Sequence, residues 1–205
     1  METQQHWESV YRAKAPDAVS WYAPHLTTSL AYVQRTGLPT SSAVVDVGGG
    51  ESTLVDDLLD AGYERIAVLD LSARALEVAR ERLGARAQGV AWAVADVLTH
   101  DFAPRSVDIW HDRAVFHFLT EAAQRERYVA QVLHALRPGG FAIVGTFGPD
   151  GPGLCSGLPV ARYDAPALHD EFGSRFRLLD DRVDVHTTPW GSPQQFVYCF
   201  CRLES

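Results

Sequence analysis

Val44-Val45-Asp46-Val47-Gly48-Gly49-Gly50-Glu51-Ser52-Thr53 reads as a buried strand, a glycine loop and the first turn of a helix. The apolar run Ala43 to Val47 is β-branched, as suits a strand covered on both faces, and it stops at Gly48. Leu54, Val55, Leu58 and Leu59 then fall at helical spacing. The same strand–helix alternation continues outward. Ile66 to Leu69, Val90 to Val94, Val107 to Trp110 and Phe141 to Phe147 read as four further strands. Ser72 is placed to cap a helix whose Leu76, Ala79 and Leu83 share a face. Thr120 is placed to cap another, with Glu121 at the positive end of its dipole and Val129, Val132, Leu133 and Leu136 on its apolar side.

Arg137-Pro138-Gly139-Gly140 reads as a turn before the fifth strand. The end of the chain differs. Leu178 to Val185 and Gln195 to Leu203 are strand-like runs with only Thr187 to Pro193 as an obvious turn between them, so they pair antiparallel. The expected fold class is therefore α/β: a doubly wound, mostly parallel seven-stranded sheet with one antiparallel strand, of the Rossmann-like kind. A single domain is expected, with residues 1–36 as an N-terminal helical lid, 43–147 as the ligand-binding core and 148–205 as a loop followed by the C-terminal hairpin.

The 205 residues suit one such domain; 46% are hydrophobic and 21% charged, an ordinary globular mix. The net charge of -8 and the lack of any Lys/Arg run argue against a nucleic-acid partner. Three cysteines (Cys155, Cys199 and Cys201) and a polar start, METQQHWESVYRAK, point to reduced thiols in a cytoplasmic protein. No apolar run reaches the ~18 residues of a membrane span. The histidines lack HxxxH or facial-triad spacing, so no metal is expected. Composition leaves the oligomeric state open.

Three carboxylates close three successive strands. Asp46 stands two residues before the first glycine, awkward beside a pyrophosphate but suited to a cation such as a sulfonium amino acid. Asp70 follows 24 positions later and is placed to accept both hydroxyls of a ribose. Asp96 suits an exocyclic amine of adenine, with Ala95 and Val97 packing on the ring. The dehydrogenase fingerprint wants glycine at position 53, where this chain has Thr53.

With these motifs in place, residues 43 to 147 resemble the core of the class I, seven-strand S-adenosylmethionine-dependent methyltransferases. VVDVGGG resembles their first motif, VLDLS the ribose motif, VADV the adenine motif and LRPGGFAIVGTF the segment of the fifth strand. Ser52 stands where many members have a third glycine. The resemblance implies S-adenosylmethionine as cofactor, held by Asp46, Gly48, Gly49, Gly50, Thr53, Asp70, Leu71, Ser72, Ala95, Asp96, Val97 and Asp112. Val107 to Phe116, with Trp110-His111-Asp112-Arg113, resembles the fourth-strand segment of thiopurine-type methyltransferases, and Arg125-Glu126-Arg127-Tyr128 stands where they have an Asp-Arg-Tyr-like stretch. It resembles the Asp-Lys-Gly pattern of some protein-lysine methyltransferases more loosely. In the thiopurine type N-terminal aromatics cover the cofactor, a role that implicates Trp7, Tyr11, Trp21 and Tyr22 here.

Methyl transfer is an in-line displacement in which the protein aligns the acceptor at ~3–3.5 Å and excludes water. Arg113 and His111 are the candidates beside the transferred group, Arg113 to favour an anionic acceptor and His111 to relay its proton. The plainer reading of Asp112 and Arg113 is that they pair and hold a loop. Tyr22, His117, Phe147 and Cys155 are candidates for the acceptor side, against a packed histidine at 117 and a small packed residue at 155. The expected acceptor is a small molecule with a polarisable heteroatom, a thiol foremost. A protein lysine, a nucleotide-dependent oxidoreductase and a non-catalytic cofactor-binding module are the rival readings.

Overall fold

The computed structural model describes residues 2–204; the outermost residues of the expected lid and C-terminal segments, 1 and 205, lie outside the described residues. Strands β1 (Ala43–Val47), β2 (Arg65–Asp70), β3 (Val90–Val94), β4 (Val107–Arg113), β5 (Leu136–Phe147), β8 (Phe176–Thr187) and β9 (Pro193–Leu203) form one sheet, ordered β3-β2-β1-β4-β5-β9-β8. Every pairing from β3 to β5 is parallel, and β9 runs antiparallel to both of its neighbours. β3 and β8 are the two free edges.

Helices cover both faces, which is why the central strands are apolar on both sides. Val44 and Ile109 pack with Tyr32 and Val33 of α2 (Thr27–Arg35), Leu54 and Leu58 of α3 (Leu54–Asp60), and Leu76 and Leu83 of α4 (Ala73–Leu83). Val45, Val47 and Trp110 face the other way, onto Tyr128 and Val132 of α5 (Ala122–Ala135) and Leu168 and Phe172 of α6 (Ala165–Phe172). α1 (Glu2–Ala13) lies against α4, where Glu8 accepts from the Ala73 N–H at 2.6 Å.

Several local expectations change. β4 continues to Arg113 instead of stopping at Trp110. Glu121, not Thr120, caps α5: its longer side chain meets the Gln124 backbone while the Gln124 side chain returns to the Glu121 N–H, a reciprocal box. Arg137 to Gly140 does not precede the fifth strand but bulges inside it, since Val107 pairs with Leu136 and Ile109 already with Phe141. The bulge is held by Arg137 on Asp108 at 2.6 Å and turns at Gly139, φ 82°. Within the expected loop after β5, a small hairpin forms between β6 (Leu154–Cys155) and β7 (Leu158–Pro159). Its two turn residues, Ser156 and Gly157, both have positive φ, as the tightest hairpins require. Among the described residues no helix is long and apolar enough to cross a membrane.

Candidate active site

The order of the sheet reverses between β1 and β4, and the loops after those strands diverge to leave a crevice at their carboxyl ends. Two cavities occupy it. The larger, about 370 Å³, is within the ordinary range for a small-molecule site. It is lined by Asp70, Leu71, Ala95, Asp96 and Val97 and also by Phe118, Gln124, Cys155, Leu158 and Pro159. The smaller, about 40 Å³, lies between the glycine loop and residues 16–26, bordered by Asp46, Gly49, Glu51, Thr53, Tyr22 and His111. Tyr11, Trp21, Gly48 and Arg113 border both.

The glycine loop leaves no room for side chains. A Cβ on Gly49 would stand 2.6 Å from both Asp46 Oδ2 and Val68 Cγ1, and one on Gly48 would collide with Val115. Gly50 adopts φ 41° against Asp70 and Tyr11, so it shapes the loop without lining either cavity. Ser52 has no positive φ and turns its hydroxyl to the Leu54 N–H, so the position needs no glycine. Burial pushes the Asp70 carboxyl up to about 7, with Asp46, Glu51 and Glu8 adding to the effect and the Ser72 N–H opposing it. Ser72 itself is an N-cap, accepting from Ala75, and lines neither cavity.

The register of β1 against β4 sets Asp46 beside His111. His111 Nδ1 is 2.7 Å from Asp46 Oδ1, and Nε2 is 2.8 Å from Ser29 Oγ, which continues to Tyr198. A carboxylate only accepts, so Nδ1 carries the proton. The other Asp46 oxygen and both Glu51 oxygens are buried without a partner. Burial raises the Glu51 carboxyl to about 7.

Asp112 and Arg113 do not pair. Asp112 is fully buried and accepts from Tyr128 Oη at 2.6 Å and from the Val115 and Phe116 N–H groups, so it fixes the turn after β4 and lines neither cavity. Burial, outweighing these bonds, raises it to about 6. Tyr128 also accepts from Trp110 Nε1 at 2.9 Å. Arg113 donates to the Trp21 carbonyl at 3.0 Å and stacks on Phe196, 4.2 Å from the ring centre, while its Nε is buried without a partner. His117 is the packed histidine of the plainer reading: its Nδ1 accepts from the Phe147 N–H, and burial, with Arg113 nearby, holds it down at about 3. Phe147 is likewise core, touching His117 and Phe196. Cys155 borders the large cavity with its thiol pushed by burial to about 11.

Trp7, Tyr11, Trp21 and Phe118 form one aromatic cluster over the crevice, with Trp7 5.1 Å from Phe118 and 5.9 Å from Trp21. The segment beneath is tied down by four side chains. Thr53 donates to the Ala23 carbonyl, Asp57 accepts from the Leu26 N–H, Arg113 holds Trp21, and His186 meets the Ser20 carbonyl. Glu51, Glu8, Phe118 and Gln124 were not singled out in the sequence. Glu51 carried a usable signal, a charge inside a glycine loop where the chain has little choice about which way it points.

Residues 44–140 match the family described as a methyltransferase domain. Mouse and cattle eEF1A lysine and N-terminal methyltransferases are each 26% identical over 141 residues, 66% of this chain and 20% of theirs. The chain thus spans about a fifth of the length of these curated relatives. Among solved structures, one described as conversion of a disulfide bond into a thioacetal group during echinomycin biosynthesis shares the fold at TM-score 0.78 and 23% identity, over 98% of this chain and 92% of that one. A SAM-dependent methyltransferase of Anabaena variabilis gives 0.75 at 14%, over 100% and 96%. The Burkholderia thailandensis 1,6-didemethyltoxoflavin-N1-methyltransferase, with 1,6-didemethyltoxoflavin and S-adenosylhomocysteine bound, gives 0.69 at 19%, over 100% and 85%. The domain match and the shared fold make this chain similar to the class I methyltransferases. The crevice fits S-adenosylmethionine, with a glycine cradle, carboxylates at successive strand ends and unpartnered acidic oxygens.

Proposed function

We propose that this protein transfers a methyl group from S-adenosylmethionine to a small molecule presenting a polarisable or anionic heteroatom, a thiol foremost. The observation that carries the acceptor class is Arg113: a permanent cation where the two cavities meet, paired with no carboxylate among the described residues. Such a cation favours a thiolate and disfavours an ammonium. That the fold also serves the sulfur chemistry described for the echinomycin structure is consistent with this reading.

In this reading Asp70 accepts from the ribose hydroxyls, Asp96 takes the adenine amine, and Ala95, Val97 and Leu71 pack around the nucleoside. Trp7, Tyr11 and Trp21 exclude water. The bound cofactor supplies an electrophilic methyl group on a sulfonium. Arg113 orients the acceptor and stabilises its negative charge. His111, joining Asp46 to Ser29 at the wall of the smaller cavity, relays the acceptor's proton.

Arg113→Ala is expected to lower turnover on the order of 100-fold, as loss of a charge-stabilising donor does, while S-adenosylhomocysteine affinity changes far less. Steady-state kinetics beside calorimetry reads both. Unchanged turnover overturns the role of Arg113. The second reading, an amine of a protein, rests on the eEF1A-directed relatives. Methyl uptake from labelled cofactor, with a panel of small thiols beside purified eEF1A, separates the two. Efficient labelling of eEF1A with none of the thiols overturns the first.

A further inference from the structure

His111 is 1% exposed, and both of its ring nitrogens are engaged. Nδ1 donates to Asp46, so Nε2 is the accepting nitrogen and Ser29 Oγ donates to it. That uses the single proton of the Ser29 hydroxyl. Tyr198 Oη, 3.3 Å from Ser29 Oγ, is therefore the donor of its pair. Every bond in the row Tyr198–Ser29–His111–Asp46 points the same way, toward the carboxylate. With neither nitrogen free, a proton bound for His111 arrives through Ser29.

The row draws on β1, α2, β4 and β9, and its two hydroxyl-bearing residues are fully buried. Arg113 stands at its outer end. The guanidinium lies over Phe196, which shares a face of β9 with Tyr198. Burial pushes the Tyr198 phenol up; Arg113 and Ser29 oppose the rise, and Asp184 of β8 adds to it. Tyr32 of α2 packs on Tyr198 with ring centres 6.0 Å apart, and His186 of β8 feels the charge of Arg113. Asp112, next to His111 in β4, is turned away onto Tyr128.

We propose that an acceptor held on Arg113 passes its proton along Tyr198 and Ser29 to His111. The inference rests on the roles given above to Arg113 and His111, and it adds two residues that neither cavity touches. As the acceptor sulfur bonds to the methyl carbon and the bond from the cofactor's sulfonium breaks, the S–H proton goes to the Tyr198 oxygen. The Tyr198 proton moves to Ser29, and the Ser29 proton to His111 Nε2. The products are a thioether, S-adenosylhomocysteine and an imidazolium paired with Asp46. Only an acceptor that arrives protonated needs the row.

Two thiols at pH 7 test this with the full chain. 2-Mercaptoethanol is protonated at that pH, like other alkyl thiols, whereas 4-nitrobenzenethiol is already a thiolate. Ser29→Ala and Tyr198→Phe should each lower turnover of the alkyl thiol on the order of 100-fold more than turnover of the aryl thiol. Calorimetry should find S-adenosylhomocysteine affinity within about twofold of the wild type in both variants. Equal losses with the two thiols in either variant mark a merely structural role and overturn the route. So does an Nε2–H tautomer of His111, read from its ring nitrogen shifts by NMR in the wild type, where no variant or acceptor enters. His111→Gln separates the route from the reading beneath it. If that variant spares 2-mercaptoethanol, His111 takes no proton and the earlier role fails. If it removes that turnover while Ser29→Ala spares it, the route alone fails. A wild type that methylates neither thiol overturns the acceptor class and the route with it.

Discussion

Tyr128 shows what a single hydroxyl can hold. It accepts from Trp110 and donates to Asp112, and Asp112 in turn fixes two backbone N–H groups of the loop that carries Arg113 and Val115 to the crevice. Tyr128→Phe leaves a buried indole N–H without an acceptor and removes a donor from a buried carboxylate. A loss of about 1–3 kcal/mol is expected, read from urea unfolding at pH 7. A change below ~0.5 kcal/mol would show that the network is dispensable. The carboxylates at the ends of β1, β2 and β3 were legible in the sequence, because an acid closing an apolar strand is conspicuous. The fate of Asp112 was not. Nothing local distinguishes a carboxylate facing a ligand from one turned inward onto a tyrosine 16 residues later. Asp46 beside His111 was equally hidden, since parallel register is a tertiary property.

The N-terminal cover is two elements with different attachments. Residues 20–26 are fastened by Arg113, His186, Thr53 and Asp57, whereas α1 is held at the α4 terminus by Glu8 and by aromatic contacts. The carboxylate of Glu8 sits over the first N–H groups of α4, Ala73 and Arg74, where the helix dipole favours it. The movable part of the lid is accordingly α1. Amide exchange should show cofactor-dependent protection in α1 and little change across residues 20–26. Glu8→Ala should raise exchange in α1 and speed release of S-adenosylhomocysteine several-fold, worth ~0.5–2 kcal/mol for a lost cap. Equal protection of the two segments, with or without ligand, would remove the lid. The sequence offered the aromatics but not this division, because the ties come from residues 30 to 166 positions away.

At the scale of the molecule, strand order was the most legible property: alternating strands and helices ending in two unseparated strands admit few other arrangements. α6 escaped notice, being only eight residues long, with Asp164 as its N-cap. The same strand order leaves β8, twelve residues of backbone, open along its outer side among the described residues. Val183 and Val185 stand 57% and 62% exposed on it, and Trp190 projects from the adjoining turn. Such a rim is a template for a neighbouring chain, and charge interrupts it: Asp181 and Arg182 precede the valines, and Asp184 separates them. Asp181→Val with Arg182→Thr should raise the apparent mass in light scattering and lower solubility relative to the natural sequence. An unchanged elution profile at high concentration would show that these charges do not guard the rim. A rise in mass would instead tie charge at this edge to whether the protein stays dispersed, a property separate from the chemistry of the crevice.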